Sequence, residues 1–246
     1  MLLKTLKYQY PCDEMDWTFW RVSFKVEENG YHGKRVRRFQ KMDSLIFDLD
    51  GTLWDSTDTV LLAWNSLMKD YESINRTITK KDLQSVMGLQ VPEIGKKLFP
   101  ELNETDRNRF LEESCLVENT LLGEQGGILF DRVEDVLKSL SEKYKLFIVS
   151  NCQEGYIESF YQFHQLEKYF KDYENPGRTG LSKGENIKLI MERNHLTKPV
   201  YVGDTEGDRK AAQYAGIPFV YAKYGFGQVS EYEYKIDSFD ELLKIF

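Results

Sequence analysis

The sequence predicts an α/β protein: a doubly wound parallel sheet, interrupted once by a block of helices. Three observations predict it. Short apolar runs of strand length recur along the chain, separated by helical patterns, the order that yields a parallel sheet covered by helices on both faces. Several of these runs stop abruptly at polar residues, namely Asp48, Ser150-Asn151 and Asp204. One long stretch, residues 57–126, reads as helix almost throughout.

Taken in order, residues 1–41 differ from the rest. They mix Tyr10, Trp17 and Trp20 with a basic run, Lys34, Arg35, Arg37 and Arg38. Trp20, Val22, Phe24 and Val26 alternate with Arg21, Ser23 and Lys25, the period of a half-buried strand. The segment reads either as an added edge strand or docking arm, or as an upstream extension with Met42 as the true initiator. Residues 44–50 read as a buried strand. From Asp58 to Tyr71 the pattern becomes helical, with Val60, Trp64, Leu67, Met68 and Tyr71 on one face. Helical pieces follow at 80–87, 91–99 and 105–122, with Pro92 suited to a first turn and Gly126-Gly127 closing the block. Then come a helix at 131–141, a strand at 144–149, a helix at 154–163 and a short strand at 169–173. A helix at 183–194, a strand at 200–202, a helix at 208–214 and a strand at 218–222 complete the pattern. The expected division is a core domain of residues 42–56 and 127–246, with a helical domain, 57–126, inserted into it.

The net charge of −7 argues against a nucleic-acid binder, whose footprint is basic. Cys12, Cys115 and Cys152 show neither a disulfide framework nor zinc spacing, which favours a reducing, cytoplasmic setting. No stretch has the length and apolarity of a membrane span, so no membrane partner is expected, and nothing indicates an oligomeric state. His32, His164 and His195 share no spacing with the acids and read as surface or structural; Cys152 reads as a small buried filler.

The chemistry gathers at strand ends, where open α/β sheets bind ligands. Asp48 and Asp50 close the first strand, Ser150 and Asn151 the second, and Asp204 a third, with Asp208 four residues on. Lys183 opens a helix. So many acids in one cleft repel each other unless a cation shares it, and Mg²⁺, a hard ion that takes oxygen ligands, fits best. Gly51 and Thr52 sit in a tight turn whose backbone N–H groups suit a phosphate.

In order, "FDLDGT" (47–52), "VSN" (149–151), Lys183 and "VGDTEGD" (202–208) resemble the four motifs of the haloacid dehalogenase superfamily, close to its phosphoglycolate phosphatases, over about residues 43–240. The resemblance implies a Mg²⁺-dependent phosphatase acting on a small-molecule phosphate ester. Asp48 would be the nucleophile. Asp50 would be the general acid and then the base. Asp48, the Asp50 carbonyl and Asp204 would hold Mg²⁺, with Asp208 supporting from behind. Ser150, Asn151, Gly51, Thr52 and Lys183 would bind the phosphoryl group. The helical block would be a cap that closes over the site and selects the leaving group. Its inward loop is expected near "VMGLQVPE" (86–93), with Gln90 and Glu93 as specificity candidates and Met87 and Leu89 as packing. Two alternatives stand beside this: a phosphomutase of the same superfamily, and a signalling protein phosphorylated on Asp48. Dehalogenation is disfavoured by the acid at Asp50.

Overall fold

The computed structural model describes residues 42–74 and 76–246; the two readings of residues 1–41 concern positions outside them. The strands are β1 (Ser44–Phe47), β2 (Trp54–Asp55), β3 (Ile128–Leu129), β4 (Lys145–Val149), β5 (Phe170–Glu174), β6 (Pro199–Gly203), β7 (Phe219–Ala222) and β8 (Tyr234–Ile236). Six of them form one sheet in the order β5-β4-β1-β6-β7-β8, with every pairing parallel. The chain runs outward from β1 to β4 and β5, then crosses back to β6. That reversal opens a crevice at the carboxyl end of β1, the topological switch point of such sheets.

Both faces of the sheet are covered. Leu45, Phe47, Leu146, Ile148, Val200 and Val202 pack into one apolar cluster. Ile46, Phe147, Val149 and Tyr201 pack into the other. The strict alternation is the two-residue period of a strand, and burial on both sides accounts for the continuous apolar runs.

Helices α1 (Thr57–Met68), α2 (Lys80–Gln84), α3 (Val91–Leu98) and α4 (Glu104–Gln125) occupy the block between β2 and β3. Aromatic rings of Trp64, Tyr71, Phe99 and Phe110 pack edge-on and tilted at its centre. α2 starts at Thr79, whose hydroxyl accepts from Asp82 N–H while the Asp82 carboxylate accepts from Thr79 N–H, a capping box. α4 starts at Asn103, which accepts from Asp106 N–H. It stops at Gly126 (φ 69°), where a Cβ would run into the Phe163 ring. The block is tied to the sheet by a short antiparallel ribbon, β2 against β3.

The remaining helices are α5 (Val133–Ser141), α6 (Tyr156–His164), α7 (Pro176–Thr179), α8 (Lys183–Arg193), α9 (Glu206–Ala215) and α10 (Leu242–Ile245). The β2–β3 ribbon, the edge strand β8 and the one-turn helices α7 and α10 have no counterpart in the sequence reading. The first strand is also shorter than expected. It ends at Phe47, so Asp48 is the first residue beyond it rather than part of it. No helix among the described residues is long and apolar enough to cross a membrane.

Candidate active site

Register positions the site. Phe47 lies opposite Ile148 on one side and Val202 on the other. Three parallel strands therefore end level, and the residues just beyond them, Asp48, Ser150 and Asp204, meet at one edge. Two capped helices supply the rest. Ser182 and Glu185 form the capping box of α8, placing Lys183 in its first turn. Thr205 and Asp208 do the same for α9. A lysine at a helix N-terminus faces the positive end of the helix dipole, and two carboxylates offset this. Lys183 Nζ donates to Asp48 Oδ1 at 2.9 Å and to Asp208 Oδ1 at 2.6 Å. All three side chains are buried. Burial and the Asp208 charge push the Asp48 carboxyl up to about 7, against the pull of Lys183.

Asp48, Asp204 and Asp208 bring carboxylate oxygens within 4.8 Å of one another. Their hydrogen bonds separate their roles. Asp208 Oδ1 is taken by Lys183, and its Oδ2 accepts from the Asp204 and Thr205 amides and the Thr205 hydroxyl. Asp204 Oδ2 accepts from Phe226 N–H at 2.7 Å and Gly227 N–H at 3.3 Å. Asp204 Oδ1 is buried with no hydrogen-bond partner. An unmatched buried carboxylate oxygen is costly, and here it sits in a set of hard oxygen donors. The residues therefore fit a hard divalent cation, held by Asp204 and Asp48, with Asp208 bracing Lys183 and the loop behind.

Asp50 is arranged differently. Its Oδ1 accepts from Trp54 Nε1 at 2.9 Å and Ser56 Oγ at 2.5 Å, and the Tyr156 hydroxyl lies 3.0 Å away. Burial raises its carboxyl, although these donors oppose the shift. The Asp50 carboxylate is thus turned away from the acidic cluster, toward the β2 ribbon and α6. In the sequence Trp54 and Ser56 lie in the segment leading into the helical block, where Trp54 reads equally as lining the site or as hinge packing, and Tyr156 carries no reading of its own. Trp54 and Ser56 lie within six residues of Asp50, whereas Tyr156 reaches it from another strand's helix with no local signal.

Two expectations are corrected by the hydrogen bonds. The amides of Gly51 and Thr52 are not free for a phosphate: Gly51 N–H donates to the Trp54 carbonyl and Thr52 N–H to the Leu49 carbonyl, so both close the turn. Gly51 is needed for its φ of 81° and for close approach, since a Cβ there would meet Asp204 Oδ2 at 2.3 Å. Gln90 and Glu93 do not line the cavity: Glu93 accepts from Gln90 N–H and caps α3. Met87 and Leu89, expected as packing, line the cavity instead, with Gly88 between them. Ser150 borders the same cavity. Asn151 does too, but its Nδ2 donates to the Gly88 carbonyl at 2.8 Å, joining the second motif to the helical block.

The cavity, about 60 Å³, lies between the helical block and the sheet edge. Glu118 of α4, missed in the sequence, lines it. The Glu118 carboxylate is buried, accepts from Trp64 Nε1 through Oε1, and accepts from Gln153 Nε2 through Oε2 at 2.9 Å. Burial, with a smaller push from Asp50, raises its carboxyl from 4.5 to about 7. Between those values the folded chain keeps a proton that the unfolded chain has lost, so this group makes stability fall as pH rises from 4.5 to about 7. Glu118→Gln lacks that dependence. Its melting temperature is expected to gain several degrees on wild type between pH 5 and pH 8. Thermal melts at the two pH values check this, and a gap that does not move with pH overturns it.

A family model described as haloacid dehalogenase-like hydrolase matches residues 45–222. The chain belongs to the haloacid dehalogenase-like hydrolase family. Curated proteins similar to it include phosphatases. A phosphoglycolate phosphatase of Xanthomonas campestris is 28% identical over 188 residues, covering 74% of this chain and 84% of the relative. One of Aliivibrio fischeri is 25% identical, covering 76% and 87%. The pyrophosphatase PpaX of Listeria innocua is 24% identical, covering 71% and 80%. Among solved structures, a haloacid dehalogenase-like hydrolase from Streptococcus pneumoniae superposes with a TM-score of 0.69 at 20% identity, covering 82% of this chain and 97% of that one. CbbY from Rhodobacter sphaeroides, solved with phosphate, gives 0.69 at 15% identity, covering 82% and 96%. These structural likenesses show the fold, a Rossmann-like α/β core.

Proposed function

We propose that the chain is a Mg²⁺-dependent phosphoric monoester hydrolase acting on a small phosphorylated metabolite through a phosphoaspartate. The observation that carries this reading is the division between two acids two residues apart. Asp48 is paired with the buried Lys183 beside the acidic cluster. Asp50 has its donors gathered on Oδ1, which leaves Oδ2 to carry a proton. That is how one site runs a nucleophile and an acid side by side.

In this reading Asp48 Oδ2 attacks phosphorus as the bond to the leaving oxygen breaks, and Asp50 gives that oxygen its proton, releasing the alcohol. Asp50, now ionised, takes a proton from water as the water attacks the phosphoaspartate. Asp48 is regenerated and inorganic phosphate leaves. Lys183 balances charge on Asp48 throughout. A bound Mg²⁺ would be held by Asp48, Asp204 and the Asp50 carbonyl, and would offset repulsion between carboxylates and phosphate. Residues 57–126 would serve as the cap, hinged at the β2–β3 ribbon, excluding water while it is closed.

Phosphate release from a panel of small phosphate esters tests the reading. Activity is expected with Mg²⁺, to vanish in excess EDTA and to return on adding Mg²⁺. Full turnover in EDTA would remove the metal from the proposal. Asp50→Asn is expected to slow alkyl phosphate hydrolysis by about 10²–10⁴-fold and to leave phosphorylated protein visible by intact mass. Wild-type rates in that variant would strip Asp50 of its role.

A further inference from the structure

We infer that Glu118 decides which leaving groups the site accepts: it favours a small alcohol that carries a hydrogen-bond donor and excludes one that carries a carboxylate. The inference rests on the phosphatase reading above and narrows it. Beyond the phosphoryl end, the cavity wall is apolar, with Val60, Leu83, Leu89, Val91 and Ile94 among its residues. Glu118 is the charged side chain of the helical block that lines it, and no lysine, arginine or histidine does so among the described residues. Lys183 is committed to Asp48 and Asp208 at the other end.

A carboxylate can accept about four hydrogen bonds, and Glu118 receives two, from Trp64 and Gln153. Those two bonds fix the carboxylate between α1 and the loop after the second motif. Its remaining lone pairs are the charged acceptors that a leaving group would meet there, beside the neutral side chains of Ser114, Asn151 and Gln153. A hydroxyl or ammonium group satisfies them. A carboxylate would be buried beside a second carboxylate with no cation to offset either, a juxtaposition that is strongly disfavoured. The cavity holds the equivalent of about four to six waters, so the leaving group is small. Relatives named for phosphoglycolate act on an ester whose leaving group is an acid. By this argument the present chain differs from them in its leaving-group pocket while sharing their phosphoryl site.

The test is kinetic, at pH 8 with Mg²⁺, on acetyl phosphate, O-phosphoethanolamine and 2-phosphoglycolate. Wild type is expected to prefer phosphoethanolamine over phosphoglycolate in kcat/KM by at least about tenfold. Glu118→Gln should collapse that ratio toward one, and Glu118→Asp, which keeps the charge, should retain most of it. A wild-type ratio at or below one overturns the inference, as does a ratio unmoved by Glu118→Gln. Acetyl phosphate, small and chemically activated, separates the two levels of argument. If it is hydrolysed while the ratio is wrong, only the role of Glu118 falls. If none of the three compounds is hydrolysed, the phosphatase reading falls and this inference with it.

Discussion

Asp48→Asn is expected to cut turnover of every phosphate substrate by about 10⁴-fold or more, while the protein stays folded and melts no lower than wild type in EDTA. The activity loss follows from chemistry, because an amide is a poor nucleophile and no second carboxylate stands ready to replace it. Asp50 is turned toward Trp54 and Ser56, Asp208 has both oxygens engaged, and the unmatched oxygen of Asp204 would be taken by the metal. The stability result follows from electrostatics. Burial and Asp208 hold the Asp48 carboxyl near 7, so its ionised form is a burden on the folded chain. An asparagine keeps the shape and removes the charge. Initial rates and thermal melts on the same preparation check both halves. An active variant would move the nucleophile elsewhere, and a sharply less stable one would show that Lys183 stabilises Asp48 more than burial costs.

Lys183→Met is expected to do the reverse and destabilise the fold. Methionine keeps the length of the side chain, but Asp48 and Asp208 lose the cation that lies between them at 2.9 and 2.6 Å. Removing one partner of a buried ion pair typically costs about 3–5 kcal/mol, which for a chain of this size lowers the melting temperature by on the order of 10 °C. Turnover should fall as well, since nothing else balances charge on Asp48. Adding Asp208→Asn should recover part of the stability by removing one of the two stranded charges, and none of the turnover. If the double variant is no more stable than Lys183→Met, the loss comes from packing rather than from unpaired charge.

The sheet was largely legible because its strands are apolar runs bounded by polar residues, and each carries its own ending. The helices bearing Lys183 and Asp208 were legible for a similar reason. Their starts are fixed by capping boxes at Ser182 and Thr205, a signal confined to four consecutive residues that the sequence reading did not use, so the second helix begins at Glu206, two residues before the expected 208. The β2–β3 ribbon was not legible. Two residues on each side are too few to show a period, and their pairing depends on a partner more than seventy positions away. β8 is three residues at an exposed edge, with Lys235 at its centre.

Glu118 marks the boundary most clearly. In the sequence α4 carries Glu104, Glu112, Glu113, Glu118 and Glu124, and nothing local separates them. Only the packing of α4 against α1 and the second-motif loop buries Glu118 against Trp64 and Gln153 and leaves Glu113 in an exposed pair with Arg109. The turn at Gly51 and Thr52 makes the same point for the backbone. The residues announce a tight turn, but whether its amides are spent on Leu49 and Trp54 or left for a ligand depends on how that turn closes. By itself the sequence determined the order of the main strands and helices and the polar residues that end the strands at the site, while the caps that start the functional helices, though local, were not read from it. These depend on short-range periodicity and local hydrogen bonding. Tertiary structure alone decided which acid accepts from Trp54, Ser56 and Tyr156, which oxygen of Asp204 is left unmatched, and which glutamate faces the cavity. Those outcomes turn on burial and on partners brought from distant positions, and no run of neighbouring residues encodes either.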